Sequence, residues 1–100
     1  MAHEPKRPAD QPEPRVHLRL FVAAHSPNSI QALTHLRAAT SELGDHCDVE
    51  IIDVLATPAR ALLERILVTP TLVRVAPAPQ VRIVGNLSDA APLRRMLGLS

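Results

Sequence analysis

The amino-acid sequence predicts a small α/β domain with the element order βαβαββα. Three observations carry that reading. Val16 to Ala23 alternates and then turns continuously apolar, as a strand covered on both faces does. Ser26-Pro27 and Thr57-Pro58 each set a hydroxyl cap residue before a proline suited to the first turn of a helix. Thr71 to Val75 and Gln80 to Val84 are short β-branched runs separated by Ala76-Pro77-Ala78-Pro79, which cannot continue a strand interior.

Taken in order, residues 1–15 hold Pro5, Pro8, Pro12 and Pro14 among charged side chains and offer little to bury, so a disordered tail is expected there, ahead of one domain over 16–100. Strand one begins at Val16. The first helix opens at Ser26-Pro27 and carries Ile30, Leu33, Leu36, Ala39 and Leu43 at helical spacing up to Gly44, which turns Gln31, His35, Arg37 and Ser41 outward. Asp48 to Leu55 is rich in β-branched residues and reads as strand two, completing a βαβ unit with a parallel, right-handed crossover. From Thr57-Pro58 a short second helix runs to about Leu67, with Arg65 and Ile66 on its last turn. Strand three follows Pro70, and strand four returns antiparallel to it and ends at Gly85-Asn86. Asp89 caps a last helix that tolerates Pro92 in its first turn, buries Leu93, Met96 and Leu97, and stops at Gly98. This order is that of a thioredoxin-like, three-layer core, in which Thr69-Pro70 occupies the position where a cis peptide bond is expected.

Composition narrows the function classes. One hundred residues leave room for one domain with a small core. Phe21 is the only aromatic residue, so stacking on bases is not available, and 11 basic against 10 acidic residues make no field that would gather nucleic acid. Cys47 is alone, which excludes an internal disulfide and a Cys-x-x-Cys redox pair. The five histidines show no metal-ligand spacing. No apolar run reaches the roughly 20 residues of a membrane span, so a cytoplasmic protein with no membrane partner is expected. The loop from Ala24 to Asn28, where a redox thiol would precede the first helix, has no cysteine, and Ser26 beside His25 lacks a third group or an oxyanion site. Neither catalysis nor a cofactor is expected.

Leu18 to Ala23, Ser26-Pro27-Asn28-Ser29, Val49 to Leu55, Arg65 to Leu72 and Val84-Gly85-Asn86-Leu87-Ser88 together, in order and spacing, resemble the KaiB family from about Val16 to Leu99. The resemblance implies a non-enzymatic circadian-clock adaptor that binds the ring-shaped ATPase KaiC, competes with the thioredoxin-like sensor domain of a histidine kinase, and sequesters KaiA. It also implies fold switching: a thioredoxin-like monomer that binds the ATPase, and a resting form with a rearranged C-terminal half that assembles into dimers or tetramers. Carried onto this chain, Arg65, Arg74 and Arg82 are the basic partner-binding positions, flanking one surface, and Pro70, Pro77, Pro79, Asn86, Gly98 and Ser100 belong to the switching half. Departures stand at Asn86, where aspartate is common, at Ala78 within a run of prolines, at Pro92 in the last helix, and at Ser100 in place of an acidic residue, with no acidic tail after it. They imply a bias toward the thioredoxin-like form. The alternative is a KaiB-like adaptor acting in signalling or stress response outside a complete clock, through another kinase or ATPase.

Overall fold

A four-stranded mixed sheet in the order β2-β1-β3-β4 is the centre of the structure, a computed structural model that describes residues 15–99. The expected tail lies outside the described residues except for Arg15, as does Ser100. β1 (Val16–Val22) pairs parallel with β2 (Cys47–Asp53) and antiparallel with β3 (Thr71–Ala76), and β3 pairs antiparallel with β4 (Val81–Val84). Three helices cover the sheet: α1 (Pro27–Thr40), α2 (Pro58–Leu63) and α3 (Ala90–Met96).

The strand period of two sorts side chains onto two faces. On one, Leu18, Leu20 and Leu72 pack with Ala32 and Leu36 of α1 and Leu93 and Met96 of α3. On the other, Phe21, Ile52 and Val73 form a smaller core closed by Val54, Ile66 and Val75 on the side of α2. α2 has only six residues and covers a fraction of its face. The βαβαββα order and the three layers are those expected from the sequence.

Several boundaries differ. α1 ends at Thr40, so Leu43 lies beyond it, and its buried stripe is Ser29, Ala32 and Leu36, while Ile30 is exposed. The small residues let the helix lie close to the sheet, and Ser29 is held there by accepting the Ala23 amide at 3.1 Å. His35 is half-buried, not solvated: its Nδ1–H donates to the Asn86 carbonyl at 2.7 Å. Ser26 caps α1 by accepting the Ser29 amide, and Asp89 caps α3 by accepting that of Ala91. Thr57 does not cap α2, because its hydroxyl donates to the Asp53 carbonyl at 3.0 Å.

The ends of α2 and α3 share one geometry. In each, the amide two residues past the cap reaches back to the third-last helical carbonyl: Ile66 to Ala61 at 2.9 Å and Leu99 to Arg94 at 2.8 Å. The preceding amides close the second bond, Arg65 to Leu62 and Gly98 to Arg95. Gly98 takes the left-handed conformation this end demands (φ 77°), as expected for a glycine stop. In α2 the same position is Arg65 (φ 55°). The second helix therefore stops at Leu63, and Arg65 and Ile66 are not on its last turn but in the turn that ends it.

Candidate protein-docking site

The three arginines singled out in the sequence are not on one surface. Hairpin register pairs Val73 with Arg82 and Arg74 with Val81, so adjacent strands send the two guanidiniums to opposite faces of the sheet. Arg74 lies on the α1/α3 face, where it donates to the Met96 carbonyl at 2.7 Å, closing the C-terminal end of α3, and to the Pro79 carbonyl at 3.1 Å in the hairpin turn. Arg82 lies on the α2 face and donates to the carbonyls of both Arg65, at 3.2 Å, and Glu64. Arg65 and Arg82 are thus brought together, and Arg74 is separated from them. Of the three, only the Arg65 side chain has no hydrogen-bond or ion-pair partner among the described residues, and it is exposed.

Around Arg65 the surface is apolar and open. Leu62 is 79%, Leu63 81% and Leu67 92% exposed, and Val68 is half exposed. The sequence of the second helix does not mark them, because nothing local in residues 58–67 states which side chains the sheet covers. A groove of about 560 Å³ lies behind this rim, lined by Val54, Pro58, Ala61, Ile66 and Thr69 among others. Leu62, Leu67 and Val68 line this one groove, and large exposed aliphatic side chains beside a guanidinium with no partner among the described residues have the chemistry that suits a protein contact.

Charged pairs frame the rim on the sheet side. Arg19 reaches Glu64 at 2.7 Å and Glu50 at 3.3 Å, and Arg60 of α2 holds Glu50 with both guanidinium nitrogens, at 3.1 and 3.2 Å. The Arg60 hydrogen bonds keep the Glu50 carboxyl below its ordinary range. At the end of the same strand Asp48 is held below its ordinary range by Arg15 at 2.7 Å. These acids pair with internal cations, and among the described residues the Arg65 side chain is left without a partner.

The residues that the resemblance assigns to the switching half are spread along it. Pro70 is buried after a cis bond from Thr69, as expected, and Pro77 and Pro79 also follow cis bonds in the exposed hairpin turn. Asn86 binds α1 twice, taking the His35 proton on its carbonyl and donating its amide to Gln31 at 3.0 Å. Gly98 ends α3. No group of three or more His, Cys, Asp or Glu side chains fit to hold a metal occurs among the described residues, and no described helix is long and apolar enough to cross a membrane.

The KaiB domain matches residues 19–99 of this chain. The chain belongs to the KaiB family. It is 44% identical over 86 residues to the circadian clock protein KaiB3 of Synechocystis sp., covering 85% of this chain and 82% of that relative. Against the circadian clock oscillator protein KaiB of Prochlorococcus marinus it is 44% identical over 84 residues, 82% of this chain and 69% of the relative. The family assignment supports a clock-related role. Among solved structures, the N-terminal domain of Synechococcus elongatus SasA superposes with a TM-score of 0.73 at 24% identity over 98% of this chain and 93% of that one. Chloroplastic thioredoxin z does so at 0.72 and 23% identity over 84% and 77%. At these identities the likeness is one of fold, and the fold is thioredoxin-like.

Proposed function

We propose that this KaiB-family chain is a non-enzymatic clock adaptor that docks on a KaiC-like hexameric ATPase and modulates its phosphorylation rhythm, in competition with the sensor domain of a kinase. The observation that carries this reading is the exposure of Leu62, Leu63, Leu67 and Val68 around Arg65, whose side chain has no partner among the described residues. Burying such a rim against a partner releases ordered water at about 25 cal/mol per Å² of apolar surface. Arg65 then selects the partner, since its planar fork pairs with a carboxylate on the ring. Arg74 and Arg82 serve the adaptor from within, because both are engaged with helix-end carbonyls. In the loop before α1, Ser26 is engaged in the helix cap and in a 2.8 Å bond to Ser29, which supports a structural reading of that residue.

The test is size-exclusion chromatography with light scattering, with and without a KaiC-like ATPase and nucleotide. The chain is expected to shift into a ring-sized complex, and Leu67→Asp and Arg65→Glu are each expected to abolish the shift while leaving the far-ultraviolet dichroism unchanged. The same run reads self-association to dimer or tetramer in the free chain. If no complex forms over hours of incubation, this reading is wrong and an adaptor for another kinase or ATPase takes its place.

A further inference from the structure

Arg65 carries an unusual backbone. A Cβ disfavours the left-handed region that a glycine enters freely, yet the sequence puts a long cation at φ 55°, where α3 uses Gly98 for the same turn. Something outside α2 must favour that conformation, and Arg82 is in place to do so. Its two terminal nitrogens bracket the turn from β4, one donating to the Glu64 carbonyl and the other to the Arg65 carbonyl, the two peptide groups whose orientation defines the left-handed step. A guanidinium bridges two acceptors in a fixed fork, and its charge also lies at the carbonyl end of α2.

We infer that Arg82 is a positioning residue: it clamps the carbonyls of Glu64 and Arg65, holds Arg65 in the left-handed turn, and thereby presents Arg65 and the Leu62, Leu63 and Leu67 rim to the partner without touching it. This deepens the docking reading above and rests on it for the partner, although the clamp itself does not. An ordinary helix would continue through residue 65, whereas the turn leaves Leu62 and Leu67 lining one groove. The clamp fixes the reversal that keeps apolar residues before and after the turn on one surface. A lysine at 82 keeps the charge but replaces two nitrogens in a rigid planar fork with one compact ammonium on a flexible stem, which does not fix the two carbonyls relative to each other, so charge and clamp are separable.

Amide hydrogen exchange on the full chain reads the clamp directly, at the Arg65 and Ile66 amides whose bonds to Leu62 and Ala61 close the turn. In Arg82→Gln and in Arg82→Lys both amides are expected to exchange about three- to ten-fold faster, the range set by an exposed, charge-assisted pair of bonds. The Leu20 and Phe21 amides in the core are expected to be unchanged, which shows that the variants fold. Adding Arg65→Gly to Arg82→Gln is expected to restore protection, since glycine takes the turn unaided. In titrations against the KaiC-like ATPase, Arg82→Lys is expected to weaken binding as much as Arg82→Gln does. Unchanged exchange at Arg65 and Ile66 in both variants overturns the clamp, and wild-type binding by Arg82→Lys overturns its positioning role in favour of a direct charge contact. A wild-type chain that binds no ATPase sinks the docking reading, while the exchange result still decides the clamp.

Discussion

Leu36 and Leu67 are the same residue type on opposite sides of the division between core and contact. Leu36 is fully buried between α1 and the sheet, whereas Leu67 is 92% exposed. Leu36→Ala is therefore expected to lower stability by about 2–5 kcal/mol, through lost transfer energy and the cavity left behind. Leu67→Ala is expected to change stability by no more than about 0.5 kcal/mol and, under the proposed docking, to weaken binding to a KaiC-like ATPase by roughly ten-fold as an anchor of the rim. Urea denaturation of both variants, with binding titrations of the second, checks the pair. Comparable losses of stability would mean that Leu67 is covered in solution by this chain itself. His35 makes the point for polar residues. Helical spacing predicts it on the outward, solvated side, and the structure half-buries it, because the Asn86 carbonyl that accepts its hydrogen bond comes from 51 residues away and leaves no local signal.

Helix ends show where local sequence suffices and where it does not. Ser26, Asp89 and Gly98 act where their residue types say they should, since each meets a need of the adjacent few residues: two free amides and one left-handed turn. The end of α2 was hidden because Glu64, Arg65, Ile66 and Leu67 can all continue a helix and no glycine marks the stop. The reversal is favoured instead by Arg82, a strand residue 17 positions from Arg65. Substitutions at these two equivalent turns are accordingly expected to have opposite signs. Gly98→Ala should destabilise by about 1 kcal/mol, because a Cβ is disfavoured at φ 77°; no neighbour lies within 4 Å, so strain alone acts. Arg65→Gly should stabilise by about 0.5–1 kcal/mol, by removing the same strain. Chemical denaturation midpoints decide this, and a loss of stability in Arg65→Gly would mean that the arginine side chain contributes more than its backbone costs.

At the scale of the whole molecule, layer order was legible because strand and helix periods and the Ser-Pro and Thr-Pro starts are local. The face on which each arginine falls was not. Moving Arg82 by one position in register would carry it to the side of Arg74, and register depends on the Pro77 and Pro79 turn, whose length in the ladder no residue pattern states. The same long-range joints govern the response to acid. Glu42, in the turn after α1, pairs with Arg94 of α3, Asp48 ties β2 to Arg15, Glu50 ties β2 to Arg60 of α2, and Asp53 accepts the amides of Leu55 and Ala24. All four carboxyls are held below their ordinary values, the first three chiefly by hydrogen bonds from arginine and Asp53 chiefly by backbone amides. A carboxyl with a lower pKa folded than unfolded stabilises the fold above its unfolded value, and that contribution is lost as pH falls through the folded value. Stability is thus expected to be level from about pH 7 to 5 with respect to these groups and to fall below the ordinary carboxylate range near pH 4. Added salt should flatten the part of the fall that comes from the exposed ion pairs, but less so the part from Asp53, whose partners are neutral amides at hydrogen-bond distance. Asp53→Asn, which can still accept both amides but no longer titrates, should remove that salt-resistant part. Denaturant midpoints at pH 7, 5, 4 and 3, in low and high salt, measure each component, and a midpoint that stays level down to pH 3 would show that these four joints do not hold the layers together.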